Sequence, residues 1–231
     1  MKDEVIAKGK WEFDDEVARC FDNMLQRSIP DYENMRKLVY SIGRHYIAKG
    51  ITVMDIGCSN GNAVLPFVKE FQTPFLLIDV SESFLDLCRR GFKEYPNVKV
   101  MNHDLRNGVP DVSSSLILSI LTVQFTPIEY RQKIINSVYK SLIPGGAFVF
   151  VEKLLGSTFD IDTVLVDEYY TMKSENQYTQ EQIQLKRKSL EGVLVPVTEQ
   201  WNIDLLKSAG FRKIECFWRY LNFAGWLAVK D

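Results

Sequence analysis

The chain has 231 residues, of which 46% are hydrophobic, and its formal net charge is −2. This length fits one domain with a sizeable core, so we treat residues 1–231 as a single domain. The nearly balanced charge gives no electrostatic case for nucleic acid or an anionic membrane. No apolar run approaches the roughly 18–20 residues that span a bilayer. We therefore expect neither a membrane nor a nucleic acid as a direct partner.

The four cysteines, Cys20, Cys58, Cys88 and Cys216, lie far apart and show no C-x-x-C spacing. This arrangement indicates neither a disulfide framework nor a zinc site, and no other metal-ligand set is visible. We expect buried free thiols in a cytoplasmic protein.

Two helices are predicted before the first strand. Over 12–26, apolar residues such as Phe13, Val17 and Phe21 recur at helical spacing, and Ser28–Asp31 breaks the pattern. A second apolar stripe runs from Asp31 to about Ala48. We interpret residues 1–50 as an N-terminal helical cap. Its apolar face also suggests contact with a second copy of the chain.

From residue 51 onwards, strand and helix patterns alternate. The predicted strands lie near 51–55, 75–79, 97–101, 115–120 and 147–152, and the predicted helices near 61–71, 82–93 and 128–141. Such alternation predicts a parallel sheet covered by helices on both faces. Pro144–Gly146 predicts a sharp turn before the fifth strand.

The last two apolar runs, 213–218 and 223–229, are joined by too short a connection for a parallel crossover, so they predict an antiparallel hairpin. Residues 153–207 then form a helical insertion, which should cover the open ends of the strands, where ligands bind. The expected fold is a doubly wound α/β sheet of the Rossmann-like, class I methyltransferase type.

The turn after the first strand carries the ligand chemistry. Asp55 ends the strand, and Gly57 and Gly61 follow; the second strand ends in Asp79. Glycines at such a turn let a ligand approach the backbone, and an acid about 20 residues later is the usual partner of ribose hydroxyls. The pattern predicts a nucleoside site.

Asp55 narrows the choice of nucleoside. A carboxylate before the turn would repel a pyrophosphate, whereas it suits the ammonium or sulfonium of S-adenosylmethionine (SAM). The D-h-G-x-S-x-G pattern, with Ser59 where glycine is commoner, resembles the first motif of class I methyltransferases. In that fold Asp104 lies near the adenine edge; a turn cap is the other interpretation of this residue.

Further blocks resemble one family, the carboxy-S-adenosylmethionine synthases, over nearly the whole chain. The matching blocks are Trp11–Asp14, Met24–Tyr32, Gly57–Ser59, Leu121–Phe125, Leu142–Ala147, Val151–Lys153, Lys186–Arg187 with Leu190–Glu191, and Leu221–Phe223. The resemblance implies an enzyme that converts SAM and prephenate to carboxy-SAM and phenylpyruvate. It also implies a homodimer, and a product that serves the modification of wobble uridine in tRNA.

The resemblance assigns roles residue by residue. Arg187 would meet the added carboxylate, for which a guanidinium fork is well suited, and is the expected catalytic residue. The expected ligands of SAM, carboxy-SAM or S-adenosylhomocysteine are Tyr32, Asp55, Gly57, Cys58, Ser59, Asp79, Val80, Asp104, Leu105, Ile120 and Arg187. A solvated helix face remains the other interpretation of Lys186–Lys188.

Three positions depart from the family pattern. Ile120 stands where synthases have an asparagine, a polar contact that Ser119 could replace, and Tyr169 and Tyr170 stand where histidines are expected. These departures bear on prephenate use more than on ligand binding. A conventional SAM-dependent methyltransferase acting on a small molecule or nucleic acid, and a non-catalytic SAM-binding subunit, are therefore the alternative functions.

Overall fold

The computed structural model describes residues 3, 5 and 9–231; the other residues of the predicted N-terminal cap lie outside the described part. The strands are β1 Thr52–Ile56, β2 Phe75–Asp79, β3 Val98–Asn102, β4 Ser114–Ile120, β5 Leu142–Leu155, β6 Val197–Thr198, β7 Lys213–Tyr220 and β8 Phe223–Val229. The α-helices are α1 Asp15–Ser28, α2 Tyr32–Gly43, α3 Leu65–Glu70, α4 Glu82–Gly91, α5 Ile128–Ser141, α6 Phe159–Glu175, α7 Gln180–Leu190 and α8 Glu199–Ala209.

Seven of the strands form a sheet in the order β3-β2-β1-β4-β5-β8-β7, and the short strand β6 pairs in parallel with the end of β5. Neighbours from β3 to β5 are parallel, whereas β8 runs antiparallel to β5 and β7 antiparallel to β8. The predicted five parallel strands with a C-terminal hairpin are thus confirmed. The order reverses between β1 and β4, and in open α/β sheets ligands bind beyond the carboxyl ends of the strands at such a reversal.

Apolar layers cover both faces of the sheet. On one face, strand residues pack against α5 and α8, including Ile134, Ile135, Val138, Leu205 and Leu206. On the other face they pack against α2, α3 and α4, including Met35, Val39, Phe67, Val68, Leu85 and Cys88. Each fully buried side chain of this kind contributes roughly 1.5–3 kcal/mol, so these layers hold the strand ends in place.

The apolar face of α1 is buried within the chain. Val17, Phe21 and Met24 pack with Trp11 and with Phe84 of α4, and Asp14 caps the helix by accepting hydrogen bonds from the second and third backbone N–H groups after it. The expectation that this face contacts a second copy is therefore wrong for the described helix. It covers the ligand side of the same chain.

Two sequence expectations need correction. Pro144–Gly146 does not precede the fifth strand but lies in a bulge within β5, where Leu142 pairs with Ser114 and Ala147 already with Leu116. The predicted insertion is also too long: it starts while β5 is still running, and α8 packs against α5 as part of the fold's own layer. Only α6 and α7 remain as added helices.

None of the helices within the described residues is long and apolar enough to cross a bilayer.

Candidate active site

A cavity of about 530 Å³ lies beyond the carboxyl ends of the parallel strands. Its volume is in the range of small-molecule sites. The predicted ligand residues that line it are Tyr32, Asp55, Gly57, Cys58, Ser59, Asp79, Val80, Asp104, Leu105 and Ile120. The structure therefore brings together every predicted ligand residue except Arg187.

The glycine loop wraps back over the end of β2. The backbone N–H groups of Gly57 and Cys58 both donate to the carbonyl oxygen of Ile78, at 2.8 and 3.0 Å. Gly57 has φ +67, and a Cβ there would lie 2.2 Å from Cγ2 of Thr122. Glycine is required at this position both for the backbone angle and for the approach of Thr122.

Three backbone N–H groups fix the carboxylate of Asp79. Its Oδ2 accepts from Ser59 at 2.9 Å, and its Oδ1 accepts from Val80 at 2.8 Å and Ser81 at 3.0 Å. The carboxylate is thus pre-oriented at the end of β2 before any ligand arrives. A carboxylate has about four lone-pair sites, and three are used here, so about one remains free to accept a hydrogen bond from a ribose hydroxyl.

Asp104 begins a short 3-10 turn, Leu105–Asn107, and caps it. Its Oδ1 accepts from the backbone N–H of Arg106 at 2.9 Å, and its Oδ2 accepts from the Arg106 Nε at 2.7 Å. These hydrogen bonds hold the pKa of Asp104 below its usual value. Asp104 is thus the turn cap that the sequence also allowed, and it lines the cavity; its position near the adenine edge stays a prediction. The neighbouring His103 lines it too, with Nε2 2.7 Å from the Gly108 carbonyl oxygen.

Asp55 is the deeply buried acid of the site. Its side chain is 1% exposed, and burial raises its pKa to about 7, with Asp79 adding to the effect and Arg36 opposing it. Within the described residues, its Oδ2 has no hydrogen-bond partner. A buried carboxylate oxygen left free in a cavity is suited to a cationic ligand group, because pairing would offset the cost of its burial.

Tyr32 and Arg36 lie on α2 beside this acid. The Arg36 Nη1 is 3.5 Å from the Tyr32 hydroxyl, and its Nη2 hydrogen-bonds the carbonyl oxygen of Asn62. The positive charge of Arg36 is close enough to Asp55 to lower the pKa of that carboxyl group. An acid and a guanidinium side by side match the ammonium and carboxylate of an amino-acid group. Arg36 was not predicted from the sequence, because an arginine on an amphipathic helix carries no local signal of a site.

Two side chains that were not among the expected ligands, a carboxylate and an amide, accept hydrogen bonds that fix the loop after β4. Glu152 accepts a hydrogen bond from the backbone N–H of Val123 at 3.0 Å, and burial raises its pKa to about 8. Gln124 Oε1 accepts from the backbone N–H of Lys153 at 2.6 Å. Together these bonds fix Ile120–Thr122 against the cavity. The sequence feature that could have indicated Glu152 is the Val151–Lys153 block, which resembles the family.

Ser119 does not supply the polar contact that the family resemblance leads us to expect at position 120. Side chains alternate along a strand, so Ser119 points to the face of β4 opposite Ile120 and does not line the cavity. Of the two tyrosines in the histidine positions, Tyr169 lines the cavity and Tyr170 does not. The wall beyond Ile120 is instead completed by residues that the sequence did not indicate as ligands: Trp11, Phe13, Gln124, Lys153, Lys173, Lys186 and Phe223.

Arg187 lies outside this set. Its side chain is exposed on α7, close enough to Tyr170 for its charge to act on the pKa of that phenol. The preceding residue, Lys186, is the one that lines the cavity. Consecutive helical residues lie about 100° apart, so one of the two basic side chains faces inward and the other outward. The carboxylate contact of Arg187 stays a prediction.

The chain is similar to known proteins over its full length. A family model described as "Methyltransferase domain" matches residues 53–146. Proteins named carboxy-S-adenosyl-L-methionine synthase are similar throughout: that of Methylococcus capsulatus is 34% identical over 94% of this chain and 93% of the relative. That of Nautilia profundicola is 35% identical over 100% of both chains.

Solved structures share the fold at much lower identity. An O-methyltransferase family protein from Burkholderia thailandensis superposes with a TM-score of 0.66 at 16% identity, covering 95% of this chain and 61% of that one. Human N-acetylserotonin methyltransferase, solved in complex with SAM, gives a TM-score of 0.56 at 16% identity, covering 94% and 58%. The chain thus spans about three-fifths of the length of these structures, and the likeness concerns the fold.

Proposed function

The chain belongs to the family of carboxy-S-adenosyl-L-methionine synthases, SAM-dependent enzymes of the methyltransferase fold, and from this premise we propose that it transfers the carboxyl group of prephenate to SAM. The products are carboxy-SAM, phenylpyruvate and water: prephenate loses its ring carboxyl group and its ring hydroxyl as the ring becomes aromatic, and the SAM methyl group gives up a proton to that hydroxyl. The observation that carries the proposal is that one cavity joins the ten predicted nucleoside and loop residues to a wall of aromatic and basic side chains.

The residues present fit SAM. Asp79 is pre-oriented for the ribose hydroxyls, Leu105 offers an apolar surface to the base, and the free Oδ2 of buried Asp55 suits the ligand's cationic end. Bound there, SAM supplies a methyl group made acidic by the adjacent sulfonium. The protein orients the two reactants and shields them from water. Holding the reactants in line removes much of the entropic cost of the reaction.

The N-terminal segment and α1 shield part of the cavity from water. Trp11, Phe21 and Met24 line the cavity with 5%, 7% and 5% of their surfaces exposed. In a cleft open to solvent, the carboxyl group released from one substrate would escape into water before it reached the other substrate. The cap therefore matches carboxyl transfer better than it matches methylation of a large acceptor such as tRNA, which would need an open approach.

The direct test is to incubate the purified protein with SAM and prephenate and to analyse the nucleosides by mass spectrometry. We expect a product about 44 mass units heavier than SAM, formed together with phenylpyruvate, and carrying ¹³C when the ring carboxyl of prephenate, but not its side-chain carboxyl, is labelled. Appearance of S-adenosylhomocysteine with a methylated acceptor would support the conventional methyltransferase instead. Tight SAM binding without turnover of any acceptor would support the non-catalytic subunit.

Further parts of the proposal concern the cell and the assembly. We place the protein in the cytoplasm because Cys58 and Cys88 are free thiols with sulfurs 3.9 Å apart, a pair suited to a reducing compartment. We propose that the product serves tRNA wobble-uridine modification, without direct contact between this protein and tRNA.

We also propose a homodimer, supported by exposed apolar residues at the end of β5 and at the start of α6. Leu155, Phe159, Ile161 and Val164 are 42%, 84%, 49% and 61% exposed. Four large apolar side chains exposed within ten consecutive residues are more than scattered surface residues account for. Light scattering at micromolar concentration should give twice the mass of one chain, and Phe159→Glu should reduce it; a monomer in the wild type would contradict the dimer.

A further inference from the structure

Three buried or half-buried lysines come together on the cavity wall. Lys153 is at the end of β5, Lys173 on α6 and Lys186 on α7, and all three line the cavity. Lys173 is 4% exposed, and the Lys186 side chain is 11% exposed. Lysine is almost never buried unless it is paired, so three in one wall need a physical explanation.

Two tyrosine rings connect the three ammonium groups. The Nζ of Lys153 is 4.3 Å from the centroid of the Tyr169 ring, and that of Lys173 is 5.6 Å from the same ring. The Lys173 Nζ is also 4.9 Å from the Tyr178 ring, to which the Lys186 Nζ lies at 5.8 Å. The rings stabilise the cations only in part, because a cation–π contact contributes less than an ion pair with hydrogen bonds.

The available acids do not balance this charge. Asp3 pairs with Lys186 at 3.5 Å and is shared with the hydroxyl of Tyr178. Across the described residues, neither Lys153 nor Lys173 has a carboxylate within 4 Å or a hydrogen bond from its Nζ. Arg27 adds a further cation, with its guanidinium carbon 3.9 Å from the centroid of the Tyr178 ring.

Ionisable groups farther from the three lysines do not neutralise their excess positive charge. Asp162 acts on Lys153 from a distance, but its Oδ1 is bound to the backbone N–H of Gly156 at 2.6 Å. The thiol of Cys20 lies against Asp3. Burial, with the mutual repulsion of the lysines, lowers the pKa of Lys173 to about 7, and burial lowers that of Lys153 to about 8. A wall with this excess of positive charge is completed by an anion.

The lysines lie on the opposite flank of the sheet from the nucleoside residues. Asp79 ends β2, and Lys153 lies near the end of β5, three strands away in the order β2-β1-β4-β5. At about 4.8 Å per strand this separation is roughly 14 Å. The amino-acid end of SAM has its own cation in Arg36, next to Tyr32 and Asp55. The lysines are therefore placed for a different molecule.

We propose that Lys153, Lys173 and Lys186 bind the carboxylate groups of the second substrate, a small organic dianion whose apolar body packs against the rings of Tyr169 and Phe223, which contact each other with centroids 5.6 Å apart. The identity of the substrate depends on the proposed function. The choice of the three lysines depends on the geometry of the cavity. The lysines are then the specificity-determining residues that select a dianion over a monoanion in a site whose polar contact at Ile120 is absent.

Calorimetric titration of the S-adenosylhomocysteine-loaded protein tests the assignment without turnover, because that ligand has no transferable methyl group. The probes are prephenate as a dianion, phenylpyruvate as a monoanion and inorganic phosphate as a second dianion. We expect wild type to bind prephenate at least tenfold more tightly than phenylpyruvate. Lys153→Met and Lys173→Met should each lose at least tenfold for prephenate while keeping S-adenosylhomocysteine affinity within twofold.

Matched variants separate a binding role from a structural one. Lys188→Met, on the exposed side of α7, should bind all probes as wild type does. Lys153→Arg keeps the charge and should recover part of the prephenate affinity. Titration in buffers of different ionisation enthalpy should show proton uptake on prephenate binding to wild type near pH 8, and less uptake in Lys153→Met and Lys173→Met, because a bound anion favours the charged lysines.

The outcomes distinguish this assignment from the proposed function. Unchanged prephenate affinity in both methionine variants, or equal wild-type affinity for the dianions and the monoanion, would overturn it even if carboxy-SAM is formed. An equal loss of S-adenosylhomocysteine affinity would also overturn it, since the lysines would then serve the nucleoside. Phosphate binding that depends on the lysines, in a protein that forms no carboxy-SAM, would retain the anion site and refute the proposed function.

Discussion

The carboxylate of Asp79 accepts a hydrogen bond from the backbone N–H of Ser59 at 2.9 Å, and this bond joins the end of β2 to the glycine loop after β1. Two residues separated by 20 positions in the chain thereby form one rigid edge of the cavity. The same carboxylate is bound by the N–H groups of Val80 and Ser81. The ribose partner is therefore pre-organised, which lowers the entropic cost of binding.

We expect Asp79→Ala to weaken SAM binding by at least tenfold. Hydrogen bonds from ribose hydroxyls to a carboxylate are worth roughly 1.5–3 kcal/mol, and about 1.4 kcal/mol corresponds to a factor of ten. Calorimetry measures the loss, and Asp111→Ala, at an exposed acid far along the chain, is the control. Unchanged affinity in a folded Asp79→Ala protein would remove Asp79 from the ligand set.

Asp55 should make SAM binding depend on pH. Its pKa is raised to about 7 by burial, so the free protein carries a mixture of neutral and ionised Asp55 near neutrality. A cationic ligand group selects the ionised form, and the affinity should rise between pH 6 and 8. Asp55→Asn should bind SAM about tenfold more weakly at pH 8 and lose most of this pH dependence. A parallel pH profile in the variant would contradict the contact.

The same residue sets part of the stability of the ligand-free protein. Its folded-state pKa lies above the ordinary value of 3.8, so the stability it contributes is fully present below pH 4 and is lost as pH rises through about 7. In denaturant unfolding, the free energy of unfolding should therefore fall less steeply between pH 5 and 8 in Asp55→Asn than in wild type. Glu152, whose pKa is raised to about 8, maintains a slope of the same sign in both proteins.

Gly57→Ala should destabilise the loop and abolish measurable SAM binding. The new Cβ would lie 2.2 Å from Cγ2 of Thr122, at a backbone φ of +67. Gly50→Ala is the matched control, because Gly50 has φ +78 but no atom within 4 Å of the new Cβ. The control should lose only about 1 kcal/mol from backbone strain. Equal loss of binding in both variants would mean that the clash with Thr122 has no influence on the site.

Arg187 is tested by comparing two ligands. If its guanidinium meets the added carboxylate, Arg187→Leu should weaken carboxy-SAM binding by at least tenfold and change SAM binding by less than twofold. The exposed position of Arg187 makes Lys188→Leu, its neighbour on α7, a close control for general surface effects. Equal effects on both ligands would show that Arg187 does not contact the carboxylate.

Sequence patterns determined the sheet and most of the nucleoside site. Alternating strand and helix periodicity predicts parallel strands, and parallel strands bring all their carboxyl ends to one edge. Asp55 and Asp79 lie at the carboxyl ends of β1 and β2, and Asp104 follows β3 by two residues, so their convergence required no knowledge of packing. The loop glycine at position 57 was also readable, because the turn from strand to helix is a local event in the chain.

Only the tertiary structure decided which basic residues face the cavity. Lys153, Lys173 and Lys186 come from three elements, and no local pattern links them. On α7, which is polar around much of its circumference, periodicity could not tell whether Lys186 or Arg187 points inward. That choice depends on how α7 packs against α6 and the N-terminal segment. There, burial of Ile183 and Ser189 fixes the rotation of the helix and turns Lys186 towards Asp3 and Trp11.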